Sequence, residues 1–321
     1  MSNTFIIAQK EWKDIIRSKT FIYILILLAI LTLISLIVSI LVFNSQLTEY
    51  NNAATQLQQQ GRDVGLPPQL YPLNLLRGTV DYIEIIGAML GILLGYLCIA
   101  KERNTKALKL LLTRPITKGE IVRGKILGNT LFILSLMTIM AVFIVFLFAL
   151  ISGLFLSNSE LFKIFLFIII STVYVLIFFM LSFFLSLKQK NLTRALITCF
   201  IIWLVIVLIL PQIGDTMDPD NQVPGGLFKS MNVDKPTEKL IMSRFGTYET
   251  IRNGIEESSI TKHYERAVFA IFGIKSIYNG KSLSFTLLDT ISNYYWILGF
   301  LILGLYIDYI YLSKTKIYLS G

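Results

Sequence analysis

Residues 21–43 read FIYILILLAILTLISLIVSILVF, a run of 23 residues without a single charged side chain. A bilayer core is about 30 Å thick, and a helix needs about 20 apolar residues to cross it. The run is too long for the apolar region of a cleaved signal peptide, so it predicts a membrane-spanning helix. The composition agrees, because 55% of the 321 residues are hydrophobic and only 15% are charged. These values exclude a disordered chain or a collagen-like fibre and argue against a soluble enzyme.

Five further apolar runs resemble the first, and together they predict an all-α membrane protein with six transmembrane helices. The six runs are Phe21–Phe43, Ile85–Ala100, Ile126–Ile151, Ile164–Leu187, Ala195–Leu210 and Tyr295–Leu312. The second and fifth have only 16 residues each, so they span only if flanking residues join the helix or the bilayer thins. Five spans are the alternative, if the fifth run enters the membrane without crossing it.

The distribution of Lys and Arg orients these spans. The termini and the short loops 101–125 and 188–194 carry 17 basic residues, whereas the short loops on the opposite side carry three. Short loops rich in Lys and Arg face the cytoplasm, which places both termini there, in a multi-pass protein of the cell membrane. This asymmetry accounts for the net charge of +9, so the charge does not indicate nucleic-acid binding.

The N-terminal segment, residues 1–19, has the pattern of an interfacial elbow helix. Apolar residues recur at steps of three and four, and Lys13 and Arg17 lie on the opposite face. With Trp12 on the apolar side, such a helix is expected to lie flat in the cytoplasmic interface and contact membrane lipids. A plain juxtamembrane anchor is the alternative.

The loop 101–125 reads KERNTKALKLLLTRPITKGEIVRGK and predicts a helix, a break and a second helix. Leu108, Leu111 and Leu112 share one helical face, and Pro115 ends the first helix because it lacks an N–H group. Thr117 and Glu120 then form a capping box that starts the second helix. The stretch GEIVRGK at 119–125 resembles a phosphate-binding loop, but Ile126 replaces the required Ser or Thr and no strand precedes it. We therefore expect no nucleotide binding by this chain.

Glycines recur at every fourth position of the second span. Gly87, Gly91 and Gly95 predict a face that another helix backbone approaches closely, either within the subunit or between two copies. The sixth span contains Asp308, the only charge well inside an apolar run. A charge at this depth is a candidate functional group, and snorkelling or pairing with a nearby Lys is the structural alternative.

Residues 211–294 predict a helical extracytoplasmic segment between spans 5 and 6. Two amphipathic patterns, near residues 240–255 and 260–272, favour a small helical cap over the outer mouth. His263 is the only histidine, and Cys98 and Cys199 lie within apolar runs. We find no catalytic constellation, metal site or disulfide framework in this pattern. The domain boundaries are therefore 1–19, 20–210, 211–294 and 295–321.

These features resemble the permease subunits of ABC-2-type transporters over most of the chain. The motif-level likeness lies in the first cytoplasmic loop, where Asn104 and Lys109 depart from the family pattern. The matching residues are Glu102-Arg103, Thr105, Leu108, Leu110–Leu112, Pro115-Ile116-Thr117 and Gly124-Lys125. The long segment before the last span looks most like the branch that includes the copper-processing permeases of nitrous oxide reductase maturation.

The resemblance implies an exporter in which the first cytoplasmic loop docks, as a coupling helix, into a separate ABC ATPase subunit. It implies a homodimer or a paired permease that forms the substrate pathway, with ATP and Mg in the partner and no cofactor bound by this chain, which is then not an enzyme. An extracytoplasmic protein partner is a further expectation. The alternative is a non-transporting membrane scaffold or sensor that binds a partner through its extracytoplasmic segment. The residues do not identify the cargo.

Overall fold

The computed structural model of the chain describes residues 3–59, 71–104, 117–152, 156–217, 227–231 and 233–314. Within these ranges the chain forms helices and no strand. Six helical stretches are long and apolar enough to cross a membrane, which confirms the predicted all-α fold with six spans. The spans are Phe21–Gln59, Pro72–Arg103, Gly119–Leu150, Asn158–Lys188, Leu192–Met217 and Ile291–Ile310.

The second and fifth spans are long because flanking residues join their helices. The second has 32 residues and the fifth 26, against 16 in each apolar run. Asn191 caps the start of the fifth, since its side chain accepts a hydrogen bond from the Thr193 N–H at 2.8 Å. Near the middle of each span the helix widens into a π-helical turn, Ile83–Gly87 in the second and Leu204–Ile209 in the fifth.

The predicted elbow is a helix that covers Asn3–Ile16 and ends three residues earlier than the sequence pattern suggests. A new helix begins at Lys19 and continues through the first span. Between them Ser18 acts as a cap, because its hydroxyl accepts the Phe21 N–H at 3.4 Å. Ala8 is buried, whereas Phe5 of the predicted apolar face is half exposed.

The described part of the segment between spans 5 and 6 contains several helices. Its helices are Leu227–Ser230, Lys235–Ser243, Gly246–Glu257, Ile260–Phe272 and Leu283–Asp289. The pattern near residues 240–255 belongs to two helices with a break at Arg244 and Phe245, and not to one helix. The helix Ile260–Phe272 buries every apolar position that the periodicity predicts for it.

Two of these helices form a hairpin that runs along the spans, whereas the sequence predicts a cap over their ends. Tyr248, in the helix Gly246–Glu257, donates its hydroxyl to the Met217 carbonyl, at the end of the fifth span, at 2.7 Å. Ser259, at the turn of the hairpin, donates to the Ile206 carbonyl, near the middle of that span, at 2.6 Å. The hairpin therefore descends about half the length of the fifth span. At this depth the apolar helix Ile260–Phe272 has apolar surroundings, which a position over the ends of the spans would not provide.

An ion pair anchors the hairpin to the fifth span. The Lys262 ammonium lies 3.1 Å from an oxygen of Asp215 and 2.9 Å from one of Glu265. Burial acts to lower the pKa of Lys262, but the carboxylates of Glu265 and Asp215 outweigh it and raise the pKa above its ordinary value. The lysine thus stays charged at physiological pH.

The chain divides into two compact units. One contains residues 1–83, 123–172 and 267–291, and its core includes the ring contacts Phe21–Phe132 at 5.5 Å and Phe167–Phe272 at 5.1 Å. The other contains residues 84–122, 173–266 and 292–321, and its core is built around Tyr174, whose ring stacks on Tyr264 at 4.3 Å.

Candidate functional site

Hydrogen bonds hold the start of the loop 101–125 in place. Arg103, at the end of the second span, donates from its guanidinium to the carbonyls of Leu187 at 3.2 Å, Gln189 at 2.8 Å and Lys190 at 3.3 Å. The last carbonyls of a helix have no partner within it and carry partial negative charge, so a guanidinium satisfies them well. Arg103 therefore ties the start of the loop to the end of the fourth span. Glu102 beside it is buried.

The capping box at the far end of the loop is present as predicted. The Thr117 N–H and hydroxyl both donate to Glu120 Oε2, at 2.8 and 2.9 Å, and the Glu120 N–H donates to the Thr117 hydroxyl at 3.3 Å. These bonds satisfy backbone donors that a helix N-terminus otherwise leaves open. The next helix begins directly after Thr117, at Lys118, and continues as the third span.

The N-terminal helix holds the start of the third span. Lys125 is 1% exposed, and its ammonium lies 2.9 Å from Glu11 Oε1. On either side of this pair, glycines let the two helices touch: a Cβ on Gly124 would lie 2.7 Å from Ile7 Cβ, and one on Gly128 would lie 2.6 Å from the Ala8 carbonyl. The sequence places Gly124-Lys125 in the coupling motif, and the structure places them against the N-terminal helix.

The remaining coupling residues lie outside the described part of the chain. They are Thr105, Leu108, Leu111, Leu112, Pro115 and Ile116. Their roles stay predictions, and only the two ends of the predicted coupling segment, Glu102-Arg103 and Thr117, have a described geometry.

Of the predicted elbow residues, one makes an inward contact. The Trp12 indole N–H donates to the Ser135 hydroxyl of the third span at 3.4 Å, whereas Lys13 and Arg17 are exposed. This arrangement leaves the two basic side chains available to the aqueous and headgroup region.

The glycine face of the second span packs within the subunit. A Cβ on Gly91 would collide with the Val175 carbonyl oxygen, and one on Gly95 with the Phe179 carbonyl oxygen. Between them, Ser182 donates to the Ile92 carbonyl at 2.7 Å. The fourth span therefore occupies this face around Gly91 and Gly95, and side chains larger than hydrogen have no room there. Gly87 closes the π-helical turn one helical turn earlier.

A second group of polar contacts, near the middle of the spans, was not predicted from the sequence. The Tyr174 hydroxyl donates to the Glu84 carbonyl at 2.8 Å and lies 3.3 Å from the Thr261 hydroxyl. Glu84 is in the π-helical turn of the second span, and Ile206, which accepts from Ser259, is in that of the fifth. A π-helical turn disturbs the regular backbone pairing, and within a membrane a nearby hydroxyl is what remains to satisfy the carbonyl. The sequence feature that could have indicated these contacts was Tyr174, which lies in the middle of an apolar run.

Asp308 stands apart from these paired groups. It is 1% exposed, and neither carboxylate oxygen meets a hydrogen-bond donor among the described residues. It lines a cavity of about 210 Å³ whose walls come from the fourth, fifth and sixth spans and from the hairpin turn. The predicted alternative, pairing with a lysine, is not found in the described part of the chain.

The only histidine of the chain is buried beside the sixth span. His263 Nδ1 lies 2.8 Å from Asn293 Oδ1, and Nε2 lies 2.9 Å from the Glu257 carbonyl, while the ring stacks on Trp296 at 5.5 Å. Both ring nitrogens therefore have partners within the protein. Among the described residues no three His, Cys, Asp or Glu side chains converge as a metal site.

Comparison with known proteins gives a result for almost the whole chain. The family model described as "ABC-2 family transporter protein" matches residues 5–314, which include most of the N-terminal helix, all six spans and the loop 101–125. No curated protein matches the chain. The predicted likeness to the copper-processing branch stays a prediction. The chain belongs to the ABC-2 transporter family.

Proposed function

We propose that the chain is the permease subunit of an ABC exporter, that it works as a dimer, and that a separate ATPase drives it through the loop 101–125. Family membership supports the coarser statement, a membrane permease that works with an ABC ATPase. The observation that carries the finer proposal is the anchoring of both ends of this loop. Both termini and the loop face the cytoplasm in this proposal, in agreement with the distribution of Lys and Arg.

The first anchor is Arg103, and it supports a path for movement into the spans. Because its guanidinium holds three carbonyls at the end of the fourth span, a push on the loop displaces that end as well. The fourth span is in turn packed on the second at Gly91 and Gly95 without space between the backbones. Close-packed helices transmit displacement because they cannot be compressed. The two spans therefore move together.

The second anchor is Lys125, which ends the loop. Its ion pair with Glu11 is buried, so separating the N-terminal helix from the third span would break a buried contact between charges. We infer that the loop drives the N-terminal helix through this pair when the ATPase closes on ATP. ATP and Mg bind to the ATPase, and this chain supplies the mechanical contact.

The dimer surface is proposed on the fifth span. The glycine face of the second span, which the sequence suggested for the cleft between two copies, is occupied by the fourth span. Most residues of the fifth span are uncovered, among them Ile201 and Leu208. An uncovered apolar helix suits contact with a second copy across the substrate pathway.

Loss of ATPase association tests the coupling assignment. Leu111→Asp combined with Leu112→Asp places two charges on the apolar face of the predicted coupling helix, so the ABC ATPase encoded in the same genome is expected to stop co-purifying. The matched control is Leu240→Asp with Phe245→Asp, two exposed apolar residues of the extracytoplasmic segment, which should retain the ATPase. Retention of the ATPase by the Leu111/Leu112 variant would overturn the assignment.

The Arg103 anchor requires a separate test, because it concerns transmission and not binding. Arg103→Ala removes the bonds to the fourth span, so the ATPase should still co-purify while transport and its stimulation of ATP hydrolysis fall at least about tenfold. Lys10→Ala, at an exposed basic residue of the N-terminal helix, is the control. Equal transport by the two variants would remove the first anchor from the mechanism.

A membrane scaffold or sensor is the second candidate, and one observation favours it. Leu240, in the helix Lys235–Ser243, is 62% exposed, and Phe245, just after that helix, is 57% exposed. Apolar residues exposed outside the spans are typical of a partner-binding surface. Under this alternative no ATPase co-purifies with the unaltered chain, which separates the two functions in the same experiment.

A further inference from the structure

The cavity beside Asp308 has apolar walls and one unmatched acidic group. Its walls include Phe178, Leu181, Ile202 and Phe300, contributed by the fourth, fifth and sixth spans. The other polar side chain at the cavity, Ser258, already donates its hydroxyl to the Ile255 carbonyl at 2.6 Å. Asp308 is therefore the only ionisable residue in the described lining.

Burial deprives the charged form of Asp308 of the hydration that it would have in water. A charge removed from water costs several kcal/mol unless a partner offsets the loss of hydration, and no described residue donates to either oxygen. All wall residues on the sixth span, from Phe300 to Asp308, recur at steps of three and four, so one helical face presents the carboxylate to the cavity. A cationic group that enters from outside the protein would supply the missing donor.

The size of the cavity limits what such a cation can be. At about 210 Å³ the cavity exceeds the roughly 150 Å³ of an apolar cavity that holds benzene, and it is smaller than the pockets of drug-sized ligands. One ring or short alkyl body with a short arm fills it. The side chains of Phe178 and Phe300 border the same space and supply apolar contact area for such a body.

The cavity wall next to Asp308 contains a side chain that can adapt to the shape of a ligand. Gly304 lies one helical turn before Asp308, and a Cβ there would lie 3.0 Å from Met180 Sδ, so the two spans are close at this level. Methionine is unbranched and polarisable, and its side chain adapts to ligands of differing shape. The cavity can thus accept a range of apolar bodies while the carboxylate fixes the position of the charge.

We propose that this cavity is a binding site for a small hydrophobic ammonium ion, whose charge pairs with Asp308 and whose apolar body lies among the three spans. The site does not depend on coupling to an ATPase, because binding involves this chain alone. A failure of the coupling experiments would therefore leave the binding proposal standing, and the reverse also holds.

The test compares two probes of nearly equal shape on the purified full-length chain in nanodiscs of zwitterionic lipid. Phenethylammonium carries the charge, and 2-phenylethanol replaces it with a hydroxyl. Binding is measured by calorimetry and by the rise in unfolding temperature with ligand concentration. We expect saturable binding of the amine at least about tenfold tighter than of the alcohol, because a hydrogen bond between charged groups is lost with the alcohol.

Two variants locate the binding. Asp308→Asn keeps the side-chain shape and should reduce the affinity for the amine to that for the alcohol, with the alcohol unchanged. Ile202→Phe fills the cavity and should weaken both probes, which distinguishes the cavity from the lipid around it. The proposal is overturned if the unaltered chain binds amine and alcohol equally, if it binds neither, or if Asp308→Asn retains the preference for the amine.

Discussion

Lys125 and Asp308 are ionisable residues of opposite sign with the same burial, each 1% exposed, but their surroundings differ completely. Lys125 has the Glu11 carboxylate at 2.9 Å, in a joint where glycines bring two helices together. Asp308 has apolar walls and no described donor. The difference teaches that burial alone does not define the role of a charge. A paired charge holds two helices together, whereas an unpaired one is available to a ligand.

Removing the partner of Lys125 should have the largest effect on stability. Glu11→Gln removes the carboxylate that lies 2.9 Å from the buried Lys125 ammonium, and breaking a buried ion pair costs about 3–5 kcal/mol of unfolding free energy. The measurement is chemical unfolding in detergent followed by tryptophan fluorescence. As the control, adding Lys125→Met to Glu11→Gln removes both charges and should recover most of the loss. An unchanged midpoint for Glu11→Gln alone would show that the pair contributes nothing.

An uncharged but paired group should have an intermediate effect. Tyr174→Phe removes the hydroxyl that satisfies the Glu84 carbonyl and is expected to cost about 1–3 kcal/mol. Tyr306→Phe is the matched control, because Tyr306 is exposed on the sixth span and should change little. Equal unfolding free energies for the two variants would mean that the carbonyl is satisfied without Tyr174.

Asp308→Asn should have the smallest effect on stability, although its effect on amine binding is large. No described bond is broken by the substitution, and the amide keeps the shape of the side chain, so the unfolding free energy should fall by no more than about 1 kcal/mol. The same unfolding assay without ligand measures it. A loss as large as that of Glu11→Gln would contradict the comparison, since it would reveal a partner for the carboxylate.

The sequence predicts the number of spans because each crossing requires about 20 apolar residues, a local property of the chain. The cap at Thr117 is predictable for the same reason, since its partner is three residues away. The depth of the hairpin is not, because the periodicity of residues 260–272 shows that one face is buried without showing against what. Ser259 and Ile206 are 53 residues apart, and only the tertiary structure brings them together.

Asp308 is only partly predictable from the sequence. A charged residue within an apolar run is visible in the sequence. Its lack of a described partner depends on how three spans are placed around it. For the proposed coupling residues the sequence is more informative than the structure. Their pattern is clear in the sequence, and the contact that we propose for them is with a separate ATPase subunit.

The positions of Cys98 and Cys199 have a practical consequence. Both thiols are buried within spans, so a membrane-impermeant maleimide should leave the unaltered chain unlabelled. A single cysteine placed at exposed Lys10 or at exposed Gln58 would then be the sole site of reaction. In sealed vesicles the two substitutions should react from opposite faces, so the sidedness of the molecule can be determined without first removing either natural thiol.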